Sequence, residues 1–133
     1  MNIQIPTNKD SKIIEKELSY KIVGILFEVH TKLGGRYQEK IYQSAVEKLL
    51  KRENIAYKKE LKTELLFEGD KIGLYYLDFL IENRVVLELK AVYRFHPENF
   101  RQVQGYLKTK NLKLGILANF KGTKLIYSRI LNG

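Results

Sequence analysis

The sequence predicts an α/β domain in which helices pack on a mixed sheet whose first three strands form an antiparallel meander. Three observations predict it. Residues 14, 18, 22, 25, 26, 29 and 33 are apolar, the spacing of one buried helical stripe. From Leu61 the period drops to two, with Leu61, Thr63, Leu65 and Phe67 alternating against Lys62, Glu64 and Leu66. Two further apolar runs, 72–81 and 85–92, follow after the short polar breaks EGDK and ENR.

Each element has its own signals. Residues 1–9 read as a flexible arm, after which Asp10 or Ser11 can cap the first helix. Gly34-Gly35 ends that helix, because glycine accepts the left-handed conformation at a C-terminus. A second helix spans about 37–53, with Ile41, Tyr42, Ala45, Val46, Leu49 and Leu50 as its apolar face. Three strands follow, and then Pro97 opens a third helix where its missing N–H costs nothing. Asn111 is a suitable C-cap, and LGILANF and KLIYSRIL supply two last strands. The order α-α-β-β-β-α-β-β, without repeat or linker, makes residues 10–133 one domain.

Composition narrows the chemistry. The 133 residues carry 24 Lys+Arg against 15 Asp+Glu, a formal charge of +9. That excess suits a polyanion such as nucleic acid, although lysine-rich solvated faces produce it too. With no cysteine, disulfides, zinc–thiolate sites and thiol catalysis are excluded. Two histidines, His30 and His96, make a histidine metal site improbable. His30 reads as a helix-end residue complementing the dipole, and His96 as a loop residue. The N-terminus lacks the apolar stretch of a signal peptide, and IVGILFEV is too short to span a bilayer. A cytoplasmic protein with no membrane association is expected.

The chemistry concentrates in LDFLIENRVVLELK, residues 77–90. Two strands there carry Asp78, Glu88 and Lys90. A two-residue turn would place Asp78 opposite Leu89, on the wrong face. A three-residue loop, Glu82-Asn83-Arg84, pairs 81 with 85 and so 78 with 88, and this register is the one predicted. Two carboxylates would then stand about 4.5–5.5 Å apart at Cβ, which destabilises a sheet unless something positive lies between them. Lys90 is one candidate and a divalent cation such as Mg²⁺ is the other. An exposed, salt-bridged sheet face explains the same residues. On the second helix Glu39 and Tyr42 share a face at i,i+3, and on the third Gln102 and Tyr106 do so at i,i+4. Glu39 also suits a helix's first turn, and Gln102 a solvated surface.

FEVHTKLGGRYQEKIYQSAV, LDFLIENRVVLELKAV, FRQVQGYLK and LKLGILANF, in that order, carry a resemblance over roughly residues 18–130. The chain resembles the GxxExxY family, a branch of the PD-(D/E)XK nuclease-like superfamily. The resemblance implies a restriction-endonuclease-like αβββαβ core. It implies Asp78 and Glu88 as metal-binding acids, Lys90 as the lysine of the ExK pair, Glu39 as the helical acid and further ligand, and Gln102 as a glutamine orienting water or phosphate. Tyr42 matches the motif's tyrosine. Arg36 stands where the motif has glycine, so the entry loop departs from the pattern, and Arg36 is an added candidate for phosphate contact.

The resulting expectation is a Mg²⁺- or Mn²⁺-dependent nuclease acting on nucleic acid, with DNA favoured. Asp78, Glu88, Lys90, Glu39 and Gln102 would be catalytic, with Tyr42 and Tyr106 in support. Arg36, Lys58, Lys59, Lys62, Arg94, Arg101 and Lys108 would contact phosphates, and a homodimer or partner protein is left open. The alternative is a catalytically silent nucleic-acid-binding or protein-interaction module on the same fold. A weaker third reading is a structural or toxin–antitoxin-type partner whose acids serve only Lys90.

Overall fold

A computed structural model describes residues 13–133; the arm at 1–9 and the capping residues Asp10 and Ser11 lie outside the described residues. Helix α1 runs Lys16–Leu33 and buries Leu18, Ile22, Ile25, Leu26 and Val29, the stripe expected from the sequence. It stops at Gly34, whose φ of 74° few other residues adopt and whose N–H donates to the His30 carbonyl at 2.8 Å. Helix α2, Glu39–Arg52, buries Tyr42, Val46 and Leu50. Strand β1 is Tyr57–Phe67 and β2 is Asp70–Ile81, joined by a two-residue turn with Glu68 and Gly69 at φ 50° and 87°. Positive φ at both turn positions matches the twist of a tight hairpin.

Strand β3 is Val85–Lys90 and α3 is Pro97–Lys110. Asn99 Oδ1 accepts the His96 N–H at 3.0 Å at the start of α3, and Asn111 closes the helix in the left-handed region at φ 56°. Strands β4, Leu114–Asn119, and β5, Ile126–Leu131, complete the order. The sheet is β1-β2-β3-β4-β5, and only β3 and β4 run parallel. It is therefore a mixed sheet containing the expected meander. All six residues of β4 are buried.

The two faces of the sheet feed separate cores. Phe79, Ile81, Leu87, Leu89 and Ile116 pack with α1 and α2, while Leu77, Val86, Leu117 and Ile130 pack with Val103, Tyr106 and Leu107 of α3. Burial in two layers lets a six-residue central strand contribute both faces to the hydrophobic gain.

Three details differ from the sequence expectation. β3 ends at Lys90 instead of Val92, because the Asn119 amide binds the Val92 N–H at 3.1 Å and its carbonyl at 2.7 Å. β1 starts at Tyr57, four residues ahead of the apolar alternation, since YKKE lies on an edge that solvent can cover. Alternation also fails as a guide to burial in the distal hairpin, where Leu65 and Phe67 are 53% and 60% exposed.

Candidate active site

Two residues apart on one strand, Leu77 and Phe79 should share a face, yet they serve opposite cores. The switch falls at Asp78. Across the hairpin, Lys59 pairs with Phe79 and Leu61 with Leu77, and between them Glu60 has φ 56°. A left-handed residue kinks β1 at the point where β2 turns over.

On the other side of β2 the 82–84 loop sets the register. Glu82 and Asn83 have φ 54° and 56°, and the Arg84 N–H donates to the Ile81 carbonyl at 2.9 Å. Ile81 pairs with Val85, Leu80 with Val86 and Phe79 with Leu87. One step further on the backbone ladder gives out and carboxylates replace it. The Asp78 N–H donates to Glu88 Oε1 at 2.9 Å, and the Leu89 N–H donates to Asp78 Oδ2 at 2.8 Å.

Other groups complete the cluster. Gln43 Nε2 on α2 donates to Asp78 Oδ1 at 2.8 Å, and Lys90 Nζ lies 3.3 Å from Glu88 Oε2. Glu39 Oε2, at the start of the same helix, accepts the Ala91 N–H at 3.4 Å. Each oxygen of Asp78 and Glu88 thus meets one donor and keeps acceptor capacity beyond it.

The charges are in tension. Glu88 is 4% exposed. Burial pushes its pKa up to about 8, the Asp78 charge adds to that, and Lys90 opposes it. Burial likewise raises Asp78 to about 6, with Glu39 adding to the rise and the Leu89 N–H and Lys90 opposing it. Burial alone would lower Lys90, but Glu88, Glu39 and Asp78 together hold its pKa above the usual lysine value. Three acids surround one ammonium, so negative charge is in excess.

That excess, on hard oxygen donors, fits a small divalent cation held by Asp78 and Glu88. Glu39 is near enough to act on both Asp78 and Lys90 through its charge. Among the described residues, however, no three His, Asp or Glu side chains are gathered closely enough to hold a metal ion. The two strand acids suit a cation; a three-acid cage is not formed.

The remaining candidates have partners outside the acid cluster. Gln102 Nε2 donates to Glu98 Oε2 at 3.1 Å, and the Gln102 backbone carbonyl accepts the Tyr75 hydroxyl at 3.0 Å. Tyr106 belongs to the core under α3, with the Lys110 ammonium 6.0 Å from its ring centre. Tyr42 is wholly buried, its hydroxyl donating to the Gly34 carbonyl at 2.6 Å and accepting the Tyr37 N–H at 3.1 Å. Its ring stacks on Phe120 at 4.4 Å. It therefore pins the α1–α2 loop from which Glu39 enters. The neighbouring Gly35 lies so close to Gly122 that a β-carbon would fall 2.0 Å from its carbonyl oxygen. His30 joins the same contact, with Nε2 3.0 Å from the Gly122 carbonyl, and His96 is the exposed N-cap of α3.

The basic candidates are spread over the surface. Arg36 is exposed in the α1–α2 loop, and Arg94 in the β3–α3 connection. Lys58, Lys59 and Lys62 lie on β1, and Arg101 and Lys108 on α3, all exposed. Lys59 is 3.0 Å from Glu47 Oε1 and already has a counter-charge.

Sequence reasoning missed Gln43 and Asn119. Gln43 follows Glu39 by four residues, so the spacing that places Glu39 on a helix face also places Gln43 there. Asn119 is a lone amide within the apolar run LGILANF, and at 5% exposure it must be hydrogen-bonded.

No curated protein matches the chain in sequence. Two solved structures resemble its fold. The crystal structure of SSO0001 superposes with a TM-score of 0.51 at 22% identity, covering 94% of this chain and 60% of that one. An alkaline exonuclease from Laribacter hongkongensis superposes with a TM-score of 0.52 at 10% identity, covering 98% of this chain and 78% of that one. The chain thus spans less than two thirds of the first of these proteins. At such identities the likeness concerns the fold, which is restriction-endonuclease-like. A family model described as the PD-(D/E)XK nuclease superfamily matches residues 16–130, nearly the whole domain and both strands that carry the acids. On that match the chain belongs to the PD-(D/E)XK nuclease superfamily.

Proposed function

We propose that the protein is a divalent-metal-dependent nuclease that hydrolyses phosphodiester bonds, with DNA as the favoured substrate and the cell interior as its place of action. The observation that carries this reading is the reciprocal bonding of Asp78 and Glu88 beside Lys90. It holds two mutually repelling acids in one small volume. Within the superfamily the reading places the chain in the GxxExxY branch, supported by the resemblance of Glu39 and Tyr42 to that motif's Glu and Tyr.

In this reading Asp78 and Glu88 would hold Mg²⁺ or Mn²⁺, with Glu39 as an outer ligand acting through water. When bound, the cation polarises the phosphate and makes its water more acidic. The Gln43 amide and the Leu89 N–H fix the two Asp78 oxygens, so the carboxylate is oriented before substrate arrives. Lys90, kept protonated by its acidic neighbours, donates a hydrogen bond to the attacking water or the phosphate; it is not the base. The dispersed arginines and lysines supply phosphate contacts, which predicts steep weakening with salt. Gln102 keeps its side-chain carbonyl and one N–H for substrate while bonded to Glu98.

The catalytically silent module remains the second reading, favoured by the engagement of Lys90 with Glu88 and of Gln102 with Glu98. Incubation of DNA and RNA substrates with Mg²⁺ or Mn²⁺ separates the two. Wild type should cleave, and Asp78→Asn and Lys90→Ala should lose that cleavage. Equal inertness of all three chains across substrates would leave the silent module standing.

A further inference from the structure

β1 is the edge of the sheet, and β1 and β2 run on past the point where β2 leaves β3. On this projecting ribbon Leu65, Leu66, Phe67, Ile72, Leu74 and Tyr76 are between 42% and 61% exposed. An edge strand with exposed apolar side chains is a template for another strand, and proteins rarely leave one open; here the regular stretch runs from Leu61 to Leu65, where the register with β2 shifts.

We propose that a second copy of this chain covers it, its β1 adding antiparallel to β1 about a two-fold axis at Thr63. The charge order selects this occupant and register. About Thr63, Lys62 stands opposite Glu64 of the second copy, Glu64 opposite Lys62, and Leu61 opposite Leu65 in both directions. Moving the axis to Lys62 would set Lys62 against Lys62 of the second copy, and moving it to Glu64 would set Glu64 against Glu64 of the second copy. Like charges directly opposite one another oppose both alternatives. Within one copy Glu64 lies 3.6 Å from Lys71, and both side chains are about half exposed, so the carboxylate can take a second cation. The left-handed Glu60 ends the regular stretch and confines the pairing to its distal side.

The interface is isologous, as two-fold symmetry requires, and it removes the open edge from both copies. If Asp78 belongs to the catalytic site proposed above, the pairing also fixes a spacing. Asp78 sits across from Glu60, three residues from the axis and one strand in. With strands ~4.8 Å apart and ~3.4 Å per residue, the two sites lie about 25 Å from each other on one continuous sheet. The self-association itself does not depend on that activity.

Sedimentation velocity across a dilution series tests the pairing. Wild type should dimerise. Lys62→Glu alone and Glu64→Lys alone should each weaken the dimer about tenfold, because each creates two like-charge contacts. The double variant Lys62→Glu/Glu64→Lys should restore wild-type affinity, which a merely misfolded single variant would not allow. A chain monomeric at every concentration, a dimer indifferent to both single changes, or a double variant no tighter than the singles would overturn the proposal.

Discussion

Replacing Glu88 with glutamine should stabilise the metal-free protein at alkaline pH. In the folded chain Glu88 titrates near 8, against 4.5 for the free side chain, because it is buried beside Asp78. Between those values the folded state binds more protons than the unfolded state, so stability falls as pH rises. Each pKa unit is worth about 1.4 kcal/mol, so the ionised Glu88 of the metal-free chain costs a few kcal/mol by pH 8. The shift in Asp78 arises partly from the same crowding of acids, so the two penalties do not simply add. Glutamine keeps an oxygen for the Asp78 N–H but turns an amide donor toward Lys90, which costs about 1 kcal/mol. Urea unfolding in EDTA from pH 5 to pH 9 checks the balance. Glu88→Gln should gain on wild type by roughly 1–3 kcal/mol at pH 8 and show no advantage near pH 5. A wild-type stability flat over this range, or a variant weaker than wild type at pH 8, would refute the electrostatic account of the site.

Three other outcomes are expected. Mg²⁺ or Mn²⁺ at pH 8 should raise the Tm of wild type and leave that of Asp78→Asn unchanged, as thermal unfolding by circular dichroism would show. Tyr42→Phe strands the Tyr37 N–H and one acceptor bond at Gly34, costing about 1–3 kcal/mol in urea unfolding while the stacked ring on Phe120 remains. Gly35→Ala drives a methyl into the Gly122 backbone and should cost at least as much as Tyr42→Phe in the same assay, with the α1–α2 loop displaced.

Much of the fold follows from local rules. The stripe of α1, the Asn111 cap and the three-residue loop at 82–84 are short-range signals, and each is decided within a few residues. The kink at Asp78 is not of that kind. It depends on Glu60 adopting a left-handed conformation 18 positions earlier, and nothing in KKELK announces that. Leu65 and Phe67 mislead for a related reason: alternation tells which side chains share a face, not whether anything covers it. At the site, Asp78, Glu88 and Lys90 were legible because charges in apolar strands are anomalous. Tyr42 fits a motif equally well whether it meets substrate or braces a loop, and only its bonds to Gly34 and Tyr37 distinguish the two. Gln43 went unseen because a glutamine on a helix surface looks ordinary until its partner is known.

The exchange of bonds between Asp78 and Glu88 gives those acids a second occupation. They stand in for a missing rung of the ladder, so removing either leaves a buried amide without an acceptor, at Leu89 or at Asp78 itself. An acceptor oxygen at each of the two positions is therefore required for assembly, whatever the chemistry requires. A relative without activity would still be held by its own folding to an oxygen acceptor at both positions, though not to a charge. For the same reason alanine at either position tests two things at once. Asparagine at position 78, which Gln43 can meet by turning over, tests one.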